Sequence, residues 1–141
     1  MQEQETMGIQ RAVKRCLTEK YATFSGRASR AEYWWFTLAV FLISIAVAIM
    51  EMALFSMSMS GLSADSLPEG DGPLTMLLGL AVFLPGLGVA VRRLHDTGHS
   101  GWWVLLGFVP IIGSLVLLWW YISPSQQGAN RYGAQPPETL A

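Results

Sequence analysis

Residues 102–122 read WWVLLGFVPIIGSLVLLWWYI, 21 consecutive positions without a charged side chain and with a tryptophan pair near each end. About 20 apolar residues are what an α-helix needs to cross a hydrocarbon layer roughly 30 Å thick. Tryptophan is enriched at both boundaries of that layer, because its ring is apolar while its N–H still seeks a polar partner. Trp102 and Trp119 lie 17 positions apart, about 25 Å along a helix. That separation fits two aromatic belts and predicts a membrane-crossing helix over residues 101–122. Pro110 and Gly113 interrupt the run, which leaves one alternative open. A re-entrant hairpin would return the tail to its side of origin, tolerated only where protein covers the freed carbonyls.

The pattern repeats upstream. Trp34-Trp35 opens a stretch from about residue 33 to 57, whose core from Trp34 to Met50 is 17 residues without a charge, followed by Glu51. A further 18 uncharged residues run from Leu74 to Val91, opened by Pro73 and closed by Arg92-Arg93. Of the 141 residues, 52% are apolar and 13% charged, against about 25% charged in soluble domains. The fold class is therefore all-α: a multi-pass helical membrane protein with three transmembrane helices, at about 33–57, 74–93 and 101–122. The length admits one domain, organised as an amphipathic segment 1–32, a transmembrane part 33–122 and a polar tail 123–141. No cleavable leader is evident, so the first span reads as an uncleaved anchor. A net charge of −1 gives no field for nucleic acid.

Orientation follows from Lys and Arg near the span ends. Arg11, Lys14, Arg15, Lys20, Arg27 and Arg30 precede the first span, and Arg92 and Arg93 close the second. The intervening loop, residues 58–73, carries Asp65, Glu69 and Asp71 but no Lys or Arg. The expected N-terminus is cytoplasmic, and a third crossing puts the tail outside.

Met7 to Phe24 spaces Ile9, Val13, Cys16, Leu17, Tyr21 and Phe24 by threes and fours, with Arg11, Lys14 and Arg15 on other faces. This predicts an amphipathic helix over about 7–24, lying on an anionic surface or packed on the protein itself. Ser29-Arg30-Ala31-Glu32 matches a capping box and predicts a helix start at Arg30. Pro85, beside Gly86 and Gly88, predicts a kink, and Gly86 with Ala90 has small-xxx-small spacing. Gly98 reads as a helix stop and Ser100 as an N-cap.

The densest polar constellation is Arg92-Arg93-Leu94-His95-Asp96-Thr97-Gly98-His99-Ser100-Gly101-Trp102-Trp103. Two arginines and two histidines at a headgroup boundary suit an anionic lipid phosphate; a helix stop with an Asp96–Arg ion pair explains the same residues structurally. His95, Asp96 and His99 are weak as a metal site, because Gly98 breaks the helical spacing and no further strong ligand is evident. Gly98-His99-Ser100-Gly101 lacks a base on another helix for serine chemistry. The pairs Met50/Met52 and Met57/Met59 repeat every two residues and do not converge on one helical face for Cu(I). Glu51 is an intramembrane carboxylate of the kind used in proton coupling, although its distance from Trp34 brings it to the far interface. Cys16, the single cysteine, reads as a small apolar residue on a helix. No metal or cofactor is expected.

Three stretches, Tyr21-Ala22-Thr23-Phe24-Ser25-Gly26-Arg27-Ala28-Ser29-Arg30-Ala31-Glu32-Tyr33-Trp34, Arg92 to Trp103, and Gly128-Ala129-Asn130-Arg131-Tyr132-Gly133, together resemble the domain of unknown function 805 (DUF805) family over about residues 15–137. The resemblance implies a small bacterial multi-pass inner-membrane protein of the YhaH-like kind, and no established activity, cofactor or substrate. The acidic, Met-rich first loop is not part of it.

Together these readings predict a non-enzymatic membrane interaction or envelope protein, contacting itself, a membrane-protein partner or anionic lipid. The contact candidates are Arg27, Arg30, Glu32, Arg92, Arg93, His95, Asp96, Trp102, Trp103, Asn130 and Tyr132, with the charged ones expected to cluster at the cytoplasmic boundary. The rival reading is a subunit of an oligomeric small transporter or channel.

Overall fold

Two long helices carry the architecture of the computed structural model, which describes residues 8–58 and 72–137. α1 (Ile9–Lys14) runs into a π-helical turn (Arg15–Glu19) and is followed by α2 (Arg30–Ser58) and α3 (Pro73–Asp96). A 3-10 helix (Gly101–Phe108) and α4 (Ile112–Ile122) complete the described helices. No strand occurs among the described residues. Of the methionine pairs, Met59 lies outside them, as do Asp65, Glu69 and Asp71.

α2 starts at Arg30 because the Ser29 hydroxyl accepts the Glu32 N–H at 3.1 Å. Arg30–Ser56 and Pro73–Asp96, whose most apolar 18-residue stretches have mean hydropathies of 2.5 and 2.2, are long and apolar enough to cross a membrane. Their outward residues are apolar and bare, Phe41 at 61% and Leu80 at 70% exposure, which in water would be an aggregation hazard and in lipid is ordinary solvation. At the far end the Glu51 carboxylate accepts the Leu74 and Thr75 N–H groups at 2.6 and 3.1 Å and the Thr75 hydroxyl at 2.7 Å. Glu51 thus caps the first turn of α3 from the neighbouring helix, where negative charge is favoured.

Pro85 has no N–H for the Ala81 carbonyl one turn back. The Tyr21 hydroxyl supplies the missing donor at 2.9 Å. Nearby, a Cβ on Gly88 would stand 3.1 Å from the Thr23 carbonyl oxygen, so the N-terminal segment packs along α3. This differs from the expected helix over 7–24. The helical part ends at Glu19, and its buried face is Ala12 and Cys16, while Leu17, Tyr21 and Phe24 are exposed. Tyr21→Phe is expected to cost about 1–3 kcal/mol by orphaning a carbonyl. Pro85→Ala restores the helical N–H, so the cost should shrink in the double variant; thermal unfolding of all four proteins in one detergent reads the coupling.

The third apolar segment is a hairpin, and the expected through-crossing helix is corrected. The residue before Pro110 is held extended, Val109 having φ −90° and ψ 106°. Ile111 then adopts φ 65°, ψ −72° while Ile112 N–H donates to the Pro110 carbonyl at 2.8 Å, a γ-turn. A β-branched residue at positive φ costs on the order of 1–3 kcal/mol, so the turn depends on what it joins. α4 returns along the 3-10 helix with Gly113 pressed onto the Leu106 carbonyl, leaving no space for a Cβ. Its 11 residues span only about 16 Å, half a bilayer core. The Trp103 and Trp120 rings lie 5.7 Å apart. These tryptophan pairs therefore share one level instead of marking opposite faces. The tail leaves α4 beneath α3, where Gln126 N–H donates to the Asp96 carbonyl at 2.9 Å, at the end that also holds Arg27.

Candidate functional site

The last turn of α3 reads Arg92-Arg93-Leu94-His95-Asp96, and all five are buried. The helix stops there by a Schellman motif: His99 N–H donates to the Leu94 carbonyl and Gly98 N–H to that of His95, with Gly98 at φ 81°. Five consecutive residues sweep more than a full helical turn, so their side chains meet different neighbours.

Arg92 faces α2 and the N-terminal segment. It donates to Glu32 at 2.5 Å, and Arg15 reaches the other Glu32 oxygen at 3.2 Å. Cys16 Sγ lies 3.8 Å from both Glu32 and Arg92. Arg93 faces the tail. It pairs with Asp96 one turn on, while Arg27 Nε donates to the other Asp96 oxygen at 2.9 Å and the Ser125 hydroxyl donates to the oxygen that Arg93 uses.

The donors left over on Arg27 and Arg93 go mostly to backbone carbonyls. Arg27 donates to those of Gln126 (2.5 Å), Gly128 (2.6 Å), Asp96 (3.4 Å) and Gly133 (3.5 Å). With Asp96 Oδ1 that occupies all five N–H groups of a guanidinium. Arg93 holds the carbonyls of Tyr121 (3.2 Å), Ser123 and Ala28 (3.5 Å). Carbonyls at a helix C-terminus are natural cation partners.

An aromatic tier covers this clamp. His95 stacks on Tyr132 with centroids 3.9 Å apart and planes 4° from parallel, and its Nδ1 lies 3.1 Å from the Gly26 carbonyl. Asn130 donates to the His95 carbonyl at 2.9 Å and accepts Tyr132 N–H at 2.9 Å. The Arg131 guanidinium sits 4.7 Å over the Tyr132 ring. His99 stacks instead on Trp120, at 4.2 Å. The two histidines thus face different aromatic partners, and among the described residues no grouping of three or more His, Cys, Asp or Glu could hold a metal ion.

The structure brings Arg27, Glu32, Arg92, Arg93, Asp96, His95, Asn130 and Tyr132 together. Arg30 is exposed at the margin, Trp102 is 79% exposed, and Trp103 is exposed and touches Trp120. Arg92, Arg93 and Asp96 have 0% exposure, Glu32 1% and Arg27 6%. Most of their donors and acceptors are met inside the fold, Arg92 Nε being buried without a hydrogen-bond partner among the described residues. Sequence reasoning missed Arg15, Tyr121, Ser125 and Gln126. Three of them act through backbone carbonyls or a lone hydroxyl, which carry no pattern, and Arg15 read only as one charge in a basic run.

The clamp alters the chemistry of Cys16. Burial, then the Glu32 carboxylate, pushes its thiol from the ordinary value near 9 up to about 11. The thiolate is the reactive form, so its population at pH 8 falls roughly a hundredfold. Maleimide labelling of Cys16 in native membranes should be undetectable at pH 8 and complete after denaturation. Labelling of the native protein at the rate of a free thiol would contradict this placement.

The clamp joins Arg27 to Gly133 across 106 positions, and likeness to known proteins spans the same stretch. The sequence model of the family described as "Protein of unknown function (DUF805)" matches residues 21–134. The chain belongs to the DUF805 family. It is similar to inner membrane protein YhaI of Escherichia coli (strain K12), at 46% identity over 118 residues covering 84% of this chain and 89% of that one. It is also similar to inner membrane protein YhaH of the same organism, at 36% identity over 118 residues covering 84% and 90%. No solved structure matches. In this DUF805 member the three stretches of family likeness form one tertiary unit.

Proposed function

We propose that this DUF805 protein is a non-enzymatic inner-membrane interaction protein with its N-terminus, the 97–101 loop and the tail all on the cytoplasmic side. The observation that carries the reading is the division of labour at one end of the molecule. Buried charges are consumed in holding the chain together, while Lys14, Arg30, Arg131, Trp102 and Trp119 stay exposed around them. A basic and aromatic rim on a rigid base suits anionic lipid or a membrane-protein partner. Catalysis finds little support: the Cys16 thiol is held protonated, and Asp96 is shared by two guanidiniums. Transport finds no more, since the recess between α2 and α3 is mostly apolar. The inner-membrane location rests on YhaI and YhaH, and the side on the excess of Lys and Arg.

The test is photo-crosslinking in native membranes from a benzoylphenylalanine at Trp102 or Gln127. Discrete adducts with one protein or with anionic lipid are expected. Adducts no richer than those from Leu80, on the lipid-facing side of α3, would overturn the reading.

A further inference from the structure

The recess between α2 and α3 is lined by Tyr33, Phe36, Thr37 and Val40 on one side and Val82, Gly86, Val89 and Ala90 on the other, and holds about 230 Å³. It runs seven residues along α2, roughly 10 Å, from the charged end toward the bilayer centre. At Gly86 the recess has room to spare, since a Cβ there would meet nothing nearer than Phe36 at 4.0 Å. The Thr37 hydroxyl is turned back to the Tyr33 carbonyl at 2.8 Å, so it presents no donor to an occupant. A helix is about 10–12 Å across with its side chains and could seat only one ridge of them here, whereas a hydrocarbon chain can lie along the recess.

Charge at the mouth selects which lipid. Arg30 precedes Tyr33 by three positions on α2, hence on the same face, and it is exposed. It lies within electrostatic reach of Arg93. Behind it three buried guanidiniums, Arg27, Arg92 and Arg93, face two buried carboxylates, Glu32 and Asp96, a surplus of positive charge that an external phosphate relieves. We propose that the recess holds one acyl chain of an anionic phospholipid whose phosphate sits at Arg30. This rests on the interaction reading above and gives its lipid arm one binding position.

The test uses the full chain reconstituted with phosphatidylglycerol carrying a photoactivatable diazirine in its acyl chain, beside the matching phosphatidylcholine probe. Adducts are expected within residues 33–40 and 82–90, several-fold more from phosphatidylglycerol. Arg30→Gln should abolish that preference. Gly86→Leu, which fills the recess, should lower labelling there several-fold, whereas Gly86→Ala, which fits, should not. Should Gly86→Leu fail to fold, Arg30→Gln at an exposed position decides alone. Equal labelling by both probes, or a preference that survives Arg30→Gln, overturns the proposal. So does recess labelling that disappears as crosslinked dimers form, which would make a second copy the occupant. Loss of recess labelling with Trp102 and Gln127 adducts intact removes this inference only. Loss of both removes the interaction reading.

Discussion

Asp96→Ala is expected to leave little folded protein in the membrane. Asp96 is fully buried between Arg27 and Arg93 and also accepts the Ser125 hydroxyl. Removing one member of a buried charge pair costs about 3–5 kcal/mol, because the remaining charge stays desolvated and uncompensated. Here two guanidiniums are stranded, and a domain's whole stability is only about 5–15 kcal/mol. Arg27 and Arg93 are also the groups that hold the tail carbonyls, so the tail should detach before the helices separate. Asp96→Asn should be nearly as harmful, since it keeps the shape and loses the charge. Ser125→Ala, which deletes one hydroxyl, should cost only about 1 kcal/mol. Thermal unfolding by tryptophan fluorescence and protease release of the tail measure both effects. An Asp96→Ala protein within about 0.5 kcal/mol of the parent would mean that the clamp does not exist as described.

Gly113→Ala separates the hairpin from a continuous span by the sign of its effect. Alanine is the better helix former by about 1 kcal/mol, so in a through-crossing helix the change stabilises. In the folded-back arrangement the new Cβ lands on the Leu106 carbonyl oxygen. Backbone cannot rotate aside, and overpacking of this kind costs about 1–3 kcal/mol. The strained Ile111 turn adds to whatever must be repaid by α4 packing. The expected result is a lower unfolding temperature. A companion measurement uses Gln127→Cys in a Cys16→Ser background, where an impermeant maleimide should label the tail from the same side as an N-terminal tag. A rise in stability, or labelling from the opposite side, would restore the third crossing.

Much of the helical framework was legible in the chain because it depends on local chemistry. The start of α2 follows from Ser29 and Glu32, the end of α3 from Gly98, and the two long helices from uncharged length. The third segment was not, although Pro110 and Gly113 flagged it. Uncharged length measures solubility in lipid, not direction, and a hairpin of two short helices satisfies it as well as one long helix. The tryptophan spacing misled for a related reason: 17 positions translate into a depth only if the helix between them is unbroken.

The candidate site shows the same division more sharply. Arg27, Glu32, Arg92, Arg93 and Asp96 stood out as residues, and their motifs carried the family likeness. The local Asp96–Arg93 ion pair was legible too, but the other partners were not, because pairing across 60 to 106 positions depends on how α2, α3 and the tail pack. By itself the sequence determined a helical membrane protein with its charge gathered at the span ends, since the free energy of placing charge in hydrocarbon is a property of each residue. Only the tertiary structure decided that those charges are buried against one another, that Tyr21 repairs the helix at Pro85, and that the last tryptophan pairs meet at one level. Each of these is a contact between distant segments, and its energy exists only once both have arrived.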